Sequence, residues 1–333
     1  MGVSEIAART WRIESRIGPR NLFQYLLAGD DVALLVDTGT SETPREAILP
    51  ALREVGLSRK AVRFVVVTHP DLDHQGGLAS LKSELPATLA ACGFADRGLV
   101  SKPERLVTDR YGAYELEHQV GYSDEEKDWV RSVSGAPATI DLTFAGGEEL
   151  DLGDRRLRLV HTPGHSAGHL ALHDPESGLL FCSDAVHWRM CPAADGSAAL
   201  PPTYEDVDPY LETIDRIASL APAELHSGHW PAKIGPEIGA FLAESRAFVT
   251  AMDAAIEDRL EDAATLRDLC EYVDTRLGPF GADPVNLMFA VHGHLRRLLR
   301  RGRVSLLDPA ARPLRFERTA QRSRRRPIRR SDC

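Results

Sequence analysis

The segment Thr68-His69-Pro70-Asp71-Leu72-Asp73-His74-Gln75-Gly76-Gly77 constrains this chain more than any other. It directly follows Val62–Val67, a β-branched run of the kind that forms a buried strand. Imidazoles and carboxylates bunched in a strand-end loop can converge on one point. Such nitrogen and oxygen donors suit Zn, Fe or Mn. Gly76 and Gly77 are expected to let the chain turn sharply into the next helix. The plain alternative is a polar loop whose side chains cap that helix.

Three later segments repeat the arrangement. His161-Thr162-Pro163-Gly164-His165 closes a predicted strand, Ser183-Asp184 follows the apolar Leu179–Cys182, and Ser227-Gly228-His229 follows Ala223–Leu225. Each puts a His or Asp at a strand end beside a turn. With the first loop they offer His69, Asp71, Asp73, His74, His165, Asp184 and His229 to one centre.

Hydrophobic spacing predicts strands at Leu22–Leu27, Val32–Val36, Thr88–Ala91, Leu142–Phe144, Arg156–Val160 and His169–His173. It predicts helices over Glu42–Val55, with Ser41 as N-cap and Gly56 as stop, and over Leu78–Leu85. Phe94 to Ala136 reads as a polar, partly helical insert carrying Tyr111, Tyr114, Tyr122 and Trp129. Past residue 235 the pattern changes. Ile238–Glu257, Thr265–Arg276 and Pro284–Arg301 look helical, and Arg303–Leu307 with Leu314–Glu317 looks like a hairpin. The expected division is a catalytic domain over 1–235, a helical, winged-helix-like region over 236–318, and a basic disordered tail over 319–333.

The ordered set of His and Asp segments resembles the metallo-β-lactamase superfamily. Its pattern is HxHxDH, then a PGH histidine, then an aspartate after a strand, then a late GH histidine. Asn21 followed by Leu34-Leu35-Val36-Asp37-Thr38-Gly39 is similar to that family's first hairpin and its D-x-G turn. The resemblance runs from Asn21 to Trp230. It implies an α/β (α+β) fold, a four-layer αβ/βα sandwich with metals at the edge where strands end. By position, one metal would take His69, Asp71 and His165, and a second Asp73, His74 and His229. Asp184 would bridge them. Asp73 would be the catalytic carboxylate that orients a metal-activated hydroxide.

One departure stands out: Asp71 occupies a position where the family usually has histidine. A third carboxylate lowers the net charge of a two-metal centre, which favours harder metals. Zn²⁺ is therefore the expected metal, with Fe or Mn as alternatives. On this reading Asp71→His retains metal and alters metal preference or rate. The resemblance implies a hydrolase acting on an ester, thioester or lactone. The rivals are a diiron redox enzyme of the same fold and a nuclease using the basic C-terminal region. Asp37 and Thr68 stand where they would orient ligand histidines. His169 would flank His165, and His187, Trp188 and Tyr204 would line the pocket. His118, His226, His292 and His294 have no motif role.

Charge decides how much weight the nuclease deserves. The net −9 hides a segregation. Arg296 to Cys333 carries 14 Arg against 3 acids, leaving the rest at −20. Arg296, Arg297, Arg300, Arg301 and Arg303 could bind phosphate, or could form a solvated face with Leu295, Leu298 and Leu299 packed inward. An acidic body, and arginines without interleaved aromatics, favour the second reading and a small-molecule substrate. A homodimer is left open. No apolar run is long enough for a membrane span. The absence of an apolar leader in Met1–Asp31, and five scattered cysteines, point to the cytoplasm.

Overall fold

Alternation of side chains along the strands assembles the molecule in layers. The computed structural model describes residues 2–319. A seven-stranded sheet runs in sequence order: β1 (Gly2–Ala7), β2 (Thr10–Ile17), β3 (Arg20–Ala28), β4 (Ala33–Val36), β5 (Val62–Val67), β6 (Leu89–Gly93) and β7 (Leu142–Phe144). The first four strands pair antiparallel, and β4 to β7 pair parallel. The second sheet begins with β8 (Glu149–Asp151), β9 (Arg156–His161), β10 (Leu170–Asp174) and β11 (Leu179–Ser183). A small ribbon, β12 (Cys191–Pro192) with β13 (Ala198–Leu200), stands apart. The second sheet then finishes with β14 (Glu224–Ser227), parallel to β11, and β15 (Lys233–Ile234).

The two sheets face each other. Leu34 and Val36 of β4 and Val66 of β5 meet Leu170, Leu172, Leu179 and Phe181 of the second sheet. Their neighbours Leu35, Val65 and Val67 point the other way, onto Ile48, Leu52, Leu78 and Leu81 of outer helices. In β11 the same alternation sends Leu180 and Cys182 outward, against the helix Val207–Leu220 and the C-terminal helices. Strand segments covered on both faces are apolar at every position, which is why Val65–Val67 and Leu179–Cys182 read as continuous runs, while Arg63 at the start of β5 is exposed.

Several expectations need correction. The polar-looking first twenty residues form β1 and β2. In β2, Ile13, Ser15 and Ile17 are buried at every second position between charged residues, a half-buried pattern that charge obscured. The helix Val207–Leu220 has no counterpart in the sequence reading, although Val207, Tyr210, Ile214 and Ile217 recur at helical spacing. Ser41 caps nothing: its hydroxyl donates to the Ser132 carbonyl, and the helical segment starts at Pro44. Gly76 and Gly77 have ordinary helical backbone angles. They are small because a Cβ would sit 2.3 Å from the Leu72 and Thr38 carbonyl oxygens respectively.

The C-terminal part comprises helices Pro236–Arg259, Leu266–Leu277 and Met288–Arg300. Its three-stranded sheet has β18 (Arg315–Arg318) between β16 (Ala264–Thr265) and β17 (Val304–Leu306). Its apolar residues share one continuous core with Tyr111 and Tyr114 of the insert and Leu180 of β11. The arginines are paired rather than bare. Arg297 and Arg301 reach Asp208 at 2.9 and 3.1 Å, Arg300 reaches it at 3.2 Å, and Arg303 reaches Glu257 at 2.6 Å. Arg297 is buried and also contacts Asp253 at 2.5 Å. Among the described residues, these ion pairs meet part of that charge segregation within the fold. The run Arg322–Arg330 and Cys333 lie outside the described residues. Among the described residues no helix is long and apolar enough to cross a membrane, and Cys92, Cys182, Cys191 and Cys270 are buried free thiols.

Candidate metal centre

The ends of β4, β5, β9, β11 and β14 open on one edge of the sandwich, and the loops that leave them meet there. Asp37 follows β4, His69 follows β5, His165 lies beyond β9, Asp184 follows β11, and His229 lies just past β14. Backbone bonds tie the two sheets at this edge: Leu170 N–H donates to the Thr68 carbonyl, and Phe23 N–H to the Gly228 carbonyl, each at 2.9 Å. Gly228 is required by close approach, since a Cβ would stand 2.5 Å from Asp184 Oδ1 and 2.7 Å from His74 Cε1.

All seven candidate ligands converge. His69, Asp71 and His165 form one group, Asp73, His74 and His229 another, and Asp184 joins His74 and His69 in a third. Asp71 Oδ2 is 2.9 Å from His165 Nε2 and 3.7 Å from His69 Nε2. His229 Nε2 lies 3.3 Å from Asp73 Oδ2 and 3.4 Å from Asp184 Oδ2. His74 Nε2 is 3.9 Å from both Asp73 Oδ1 and Asp184 Oδ1. The Nε2 atoms of His69, His74 and His165, Asp73 Oδ2 and Asp184 Oδ1 are buried without hydrogen-bond partners. Orphaned polar atoms are costly unless something fills the space between them. Nitrogen and carboxylate donors at this spacing fit divalent cations. Burial opposes a charge on His74, yet Asp37 and Asp184 raise it to about 10, whereas burial and the neighbouring His74 and His165 hold His69 well below the ordinary histidine value. The helix-capping alternative does not describe Asp71, which occupies the N-cap position of the turn Leu72–Gln75 without a capping hydrogen bond.

The outer nitrogens of the histidines are held in turn. The Asp37 carboxylate accepts from the Thr68 backbone N–H at 2.7 Å and from the Thr68 hydroxyl, His74 Nδ1 and the Ser183 hydroxyl at 2.9 Å. Asp37 and Ser183 adopt left-handed backbone angles to do this, φ 62° and 44°; the Asp side chain tolerates that region better than most. His69 Nδ1 is 2.9 Å from Thr68 Oγ1, and His229 Nδ1 donates to the Asn21 carbonyl at 2.7 Å. Such partners fix ring orientation and leave Nε2 free for a metal. His165 Nδ1 faces His187 Nε2 at 3.1 Å and the Thr203 carbonyl at 3.3 Å. Burial and the nearby His165 hold His187 well below the ordinary histidine value, so it stays neutral.

The remaining sequence candidates divide. His187 lines the cavity. His169 is buried with its ring stacked 5.0 Å from His69, and its Nδ1 meets Thr162 Oγ1 at 2.8 Å. Trp188 turns away from the cavity, and its indole N–H donates to Glu244. Tyr204 is fully buried, stacked on Tyr210 at 4.3 Å, with its hydroxyl 2.9 Å from His294 Nε2. Neither lines the pocket; both bind the centre's surroundings to the C-terminal helices. Sequence reasoning missed Arg20, Asp96, Arg110 and Glu205. Arg20 lies 3.4 Å from Asp73 Oδ2. Asp96 accepts from Ser166 and Gly168 and so anchors the loop after His165. Arg110 donates to Asp71 Oδ1 and to Glu205, each at 2.5 Å. No local motif marks them, because their partners are 39 to 95 residues away in sequence for Arg110 and comparably remote for the others.

The centre forms the floor of a cavity of about 320 Å³. Leu72, Tyr122, Trp129, Leu200 and Phe289 form apolar walls, and Arg20 and Cys191 lie at the side. Tyr111, Tyr122 and Trp129 place part of the Phe94–Ala136 insert in that wall.

Comparison with known proteins agrees with this architecture. The sequence profile described as "Metallo-beta-lactamase superfamily" matches residues 17–229. The acyl-coenzyme A thioesterase MBLAC2 of Homo sapiens is 28% identical over 213 residues, 62% of this chain and 63% of its own length. A hydroxyacylglutathione hydrolase of Cereibacter sphaeroides is 27% identical over 180 residues, 52% of this chain and 54% of its own. The chain thus spans between half and two thirds of the length of these curated relatives. The metallo-beta-lactamase family protein TTHA1429 from Thermus thermophilus superposes with TM-score 0.75 at 24% identity, covering 95% of this chain and all of that one. The match to the family profile takes in every strand-end loop of the centre, and this chain belongs to the metallo-beta-lactamase superfamily.

Proposed function

We propose that the protein is a dinuclear, metal-dependent hydrolase of thioesters whose acyl part is apolar, with zinc as its metal. The observation that carries this reading is the convergence of seven His and Asp side chains, with orphaned donor atoms, on the floor of an apolar-walled cavity. The thioesterase and glutathione-thioester hydrolase names among its relatives support the thioester over the ester or lactone. His69, Asp71 and His165 would hold one ion, Asp73, His74 and His229 the other, and Asp184 would face both.

When bound, such ions lower the pKa of a water to near neutrality and polarise a carbonyl. The chain's own residues supply the rest. Asp73 orients the attacking water and accepts its proton. Arg20, beside Asp73 on the cavity wall, offers guanidinium donors to charge developing on the carbonyl oxygen. Leu72, Tyr122, Trp129, Leu200 and Phe289 shelter the acyl chain from water. Water oxygen bonds to the acyl carbon, the carbon–sulfur bond breaks, and the proton taken up by Asp73 passes to the departing sulfur, which leaves as a thiol. Cys191 is no rival nucleophile, because burial pushes its thiol up to about 12. Pairing of Arg297 with Asp208 and Asp253, and of Arg303 with Glu257, supports a small-molecule substrate over a nucleic acid. The four buried free thiols support a reducing, cytoplasmic setting.

The test is elemental analysis of protein purified without added metal, with hydrolysis of acyl-CoA thioesters of graded chain length, lactones and phosphodiesters. Expected are two equivalents of zinc and chelator-sensitive thioester cleavage that improves with acyl length. Two irons with oxygen consumption, or cleavage of phosphodiesters alone, would overturn the reading.

A further inference from the structure

Asp71 differs from the family's histidine in three ways: it is shorter, it carries a charge, and it has two oxygens that can compete for a metal. The surroundings address each difference. The turn Leu72–Gln75 and its N-cap backbone bring Asp71 Oδ2 within 2.9 Å of His165 Nε2. Oδ1 is already taken: Arg110 Nε donates to it at 2.5 Å and the Tyr111 hydroxyl at 3.3 Å. Arg110 is itself immobilised, its side chain only 3% exposed. Its other arm donates to Glu205, and Phe289 lies 5.6 Å below its guanidinium. Three separate parts of the chain therefore hold one cation against one ligand oxygen.

We propose that the Asp71–Arg110 pair replaces the family's neutral histidine as a unit. Arg110 fixes Asp71 as a ligand through Oδ2 alone and offsets its charge, so occupancy of the first metal position depends on a residue of the insert. This rests on the metal reading above. Glu205 does not cancel the effect. It accepts from Nη1, the other arm of the guanidinium, while Nε stays committed to Asp71 Oδ1. Arg110 is shared between two carboxylates, so it offsets the charge of Asp71 in part. On this proposal Asp71→His loses metal, against the expectation that it retains metal with altered preference or rate: the imidazole would leave Arg110 Nε without its acceptor and set a buried guanidinium against a metal-bound ring.

The experiment compares wild type, D71H, R110M and the double variant D71H/R110M. Zinc stoichiometry is measured after dialysis, and zinc affinity by competition with a chromophoric chelator. Thermal melts report folding. Each single variant is expected to lose one equivalent of zinc or at least about tenfold in affinity at one position, the size of effect usual for residues that orient metal ligands. The double variant is expected to recover two equivalents. Wild type without zinc would defeat the metal reading itself. Wild type with two equivalents and single variants equal to it would overturn this proposal alone. So would a double variant no better than the singles, because Arg110 would then serve packing only. If R110M does not fold, D71H decides by itself: full zinc content overturns the pairing.

Discussion

The strand-end loops and the Phe94–Ala136 insert serve the same centre by different means. Each loop leaves a strand whose place in the sheet is already set, so His69, Asp184 and His229 reach the edge within two residues of β5, β11 and β14. Sheet pairing carries the positional accuracy, and short side chains suffice. The insert has no strand. It comes to the centre over packed aromatics, Tyr111 and Tyr114 against Phe289 at 6.0 and 5.8 Å, and then extends one long side chain, Arg110, to Asp71. The candidate ligands thus stand on the sheet framework, while pocket shape is assigned to a part held by aromatic packing and a few long-range hydrogen bonds, such as Tyr122 to Asn286 and Ser41 to Ser132. The loops should govern whether the chemistry happens, and the insert should govern which substrate is used.

The largest effect expected belongs to the loops. Asp184→Ala removes the carboxylate that faces both His74 and His229. Several kcal/mol of transition-state charge stabilisation is at stake, so thioester turnover should fall roughly a thousandfold. Elemental analysis should show metal loss in parallel. Trp129→Ala, in the insert helix Asp124–Ser134, should behave differently. Trp129 lines the cavity but is 48% exposed, so only part of its surface is available to an acyl chain. About 40 Å² of lost contact corresponds to about 1 kcal/mol, or roughly fivefold in KM for long acyl chains, with kcat unchanged. Steady-state kinetics across chain lengths would check this. A large kcat loss in Trp129→Ala would erase the distinction between the two regions.

That distinction also explains what could be read beforehand. His69, Asp73, His74, His165, Asp184 and His229 were legible because each motif is local, a donor beside a turn after an apolar run. The strand Val62–Val67 was legible because Val65–Val67 are buried on both faces and leave a β-branched run. The strand β2 was not, since Arg12, Glu14 and Arg16 alternate with its buried residues. Arg110, Glu205 and Asp96 were invisible for a different reason. A buried arginine is indistinguishable in sequence from a surface one, and its partners are set by tertiary packing. Trp188 and Tyr204 failed in the opposite sense: they sit near Asp184 in sequence, but helix Pro236–Arg259 and His294 claim their polar atoms. Proximity along the chain predicts ligands at strand ends and little else around them.

The smallest predicted effect asks how firmly the insert is fixed. His118, in the insert turn Glu115–His118, faces His292 of helix Met288–Arg300, ring centres 5.1 Å apart, with Tyr114 4.8 Å from His292. Burial, then His118 and Arg296, lowers His292 to about 3, and burial lowers His118 as well. The His292 ring is therefore neutral in the folded protein above about pH 3. An unfolded histidine titrates near 6.5, so between about pH 3 and 6.5 the unfolded chain binds more protons than the folded one. The contact contributes its full stability above about pH 6.5 and progressively less as pH falls below that. His292→Phe keeps the ring and removes the titration. Its melting temperature should drop less than that of the wild type between pH 7.5 and 5.5, by about 2 °C for a chain of this size. Parallel melting curves would mean that water reaches His292 through an open junction. The insert would then be a hinged cover, and the Arg110 contact would be the main constraint holding it to the metal centre.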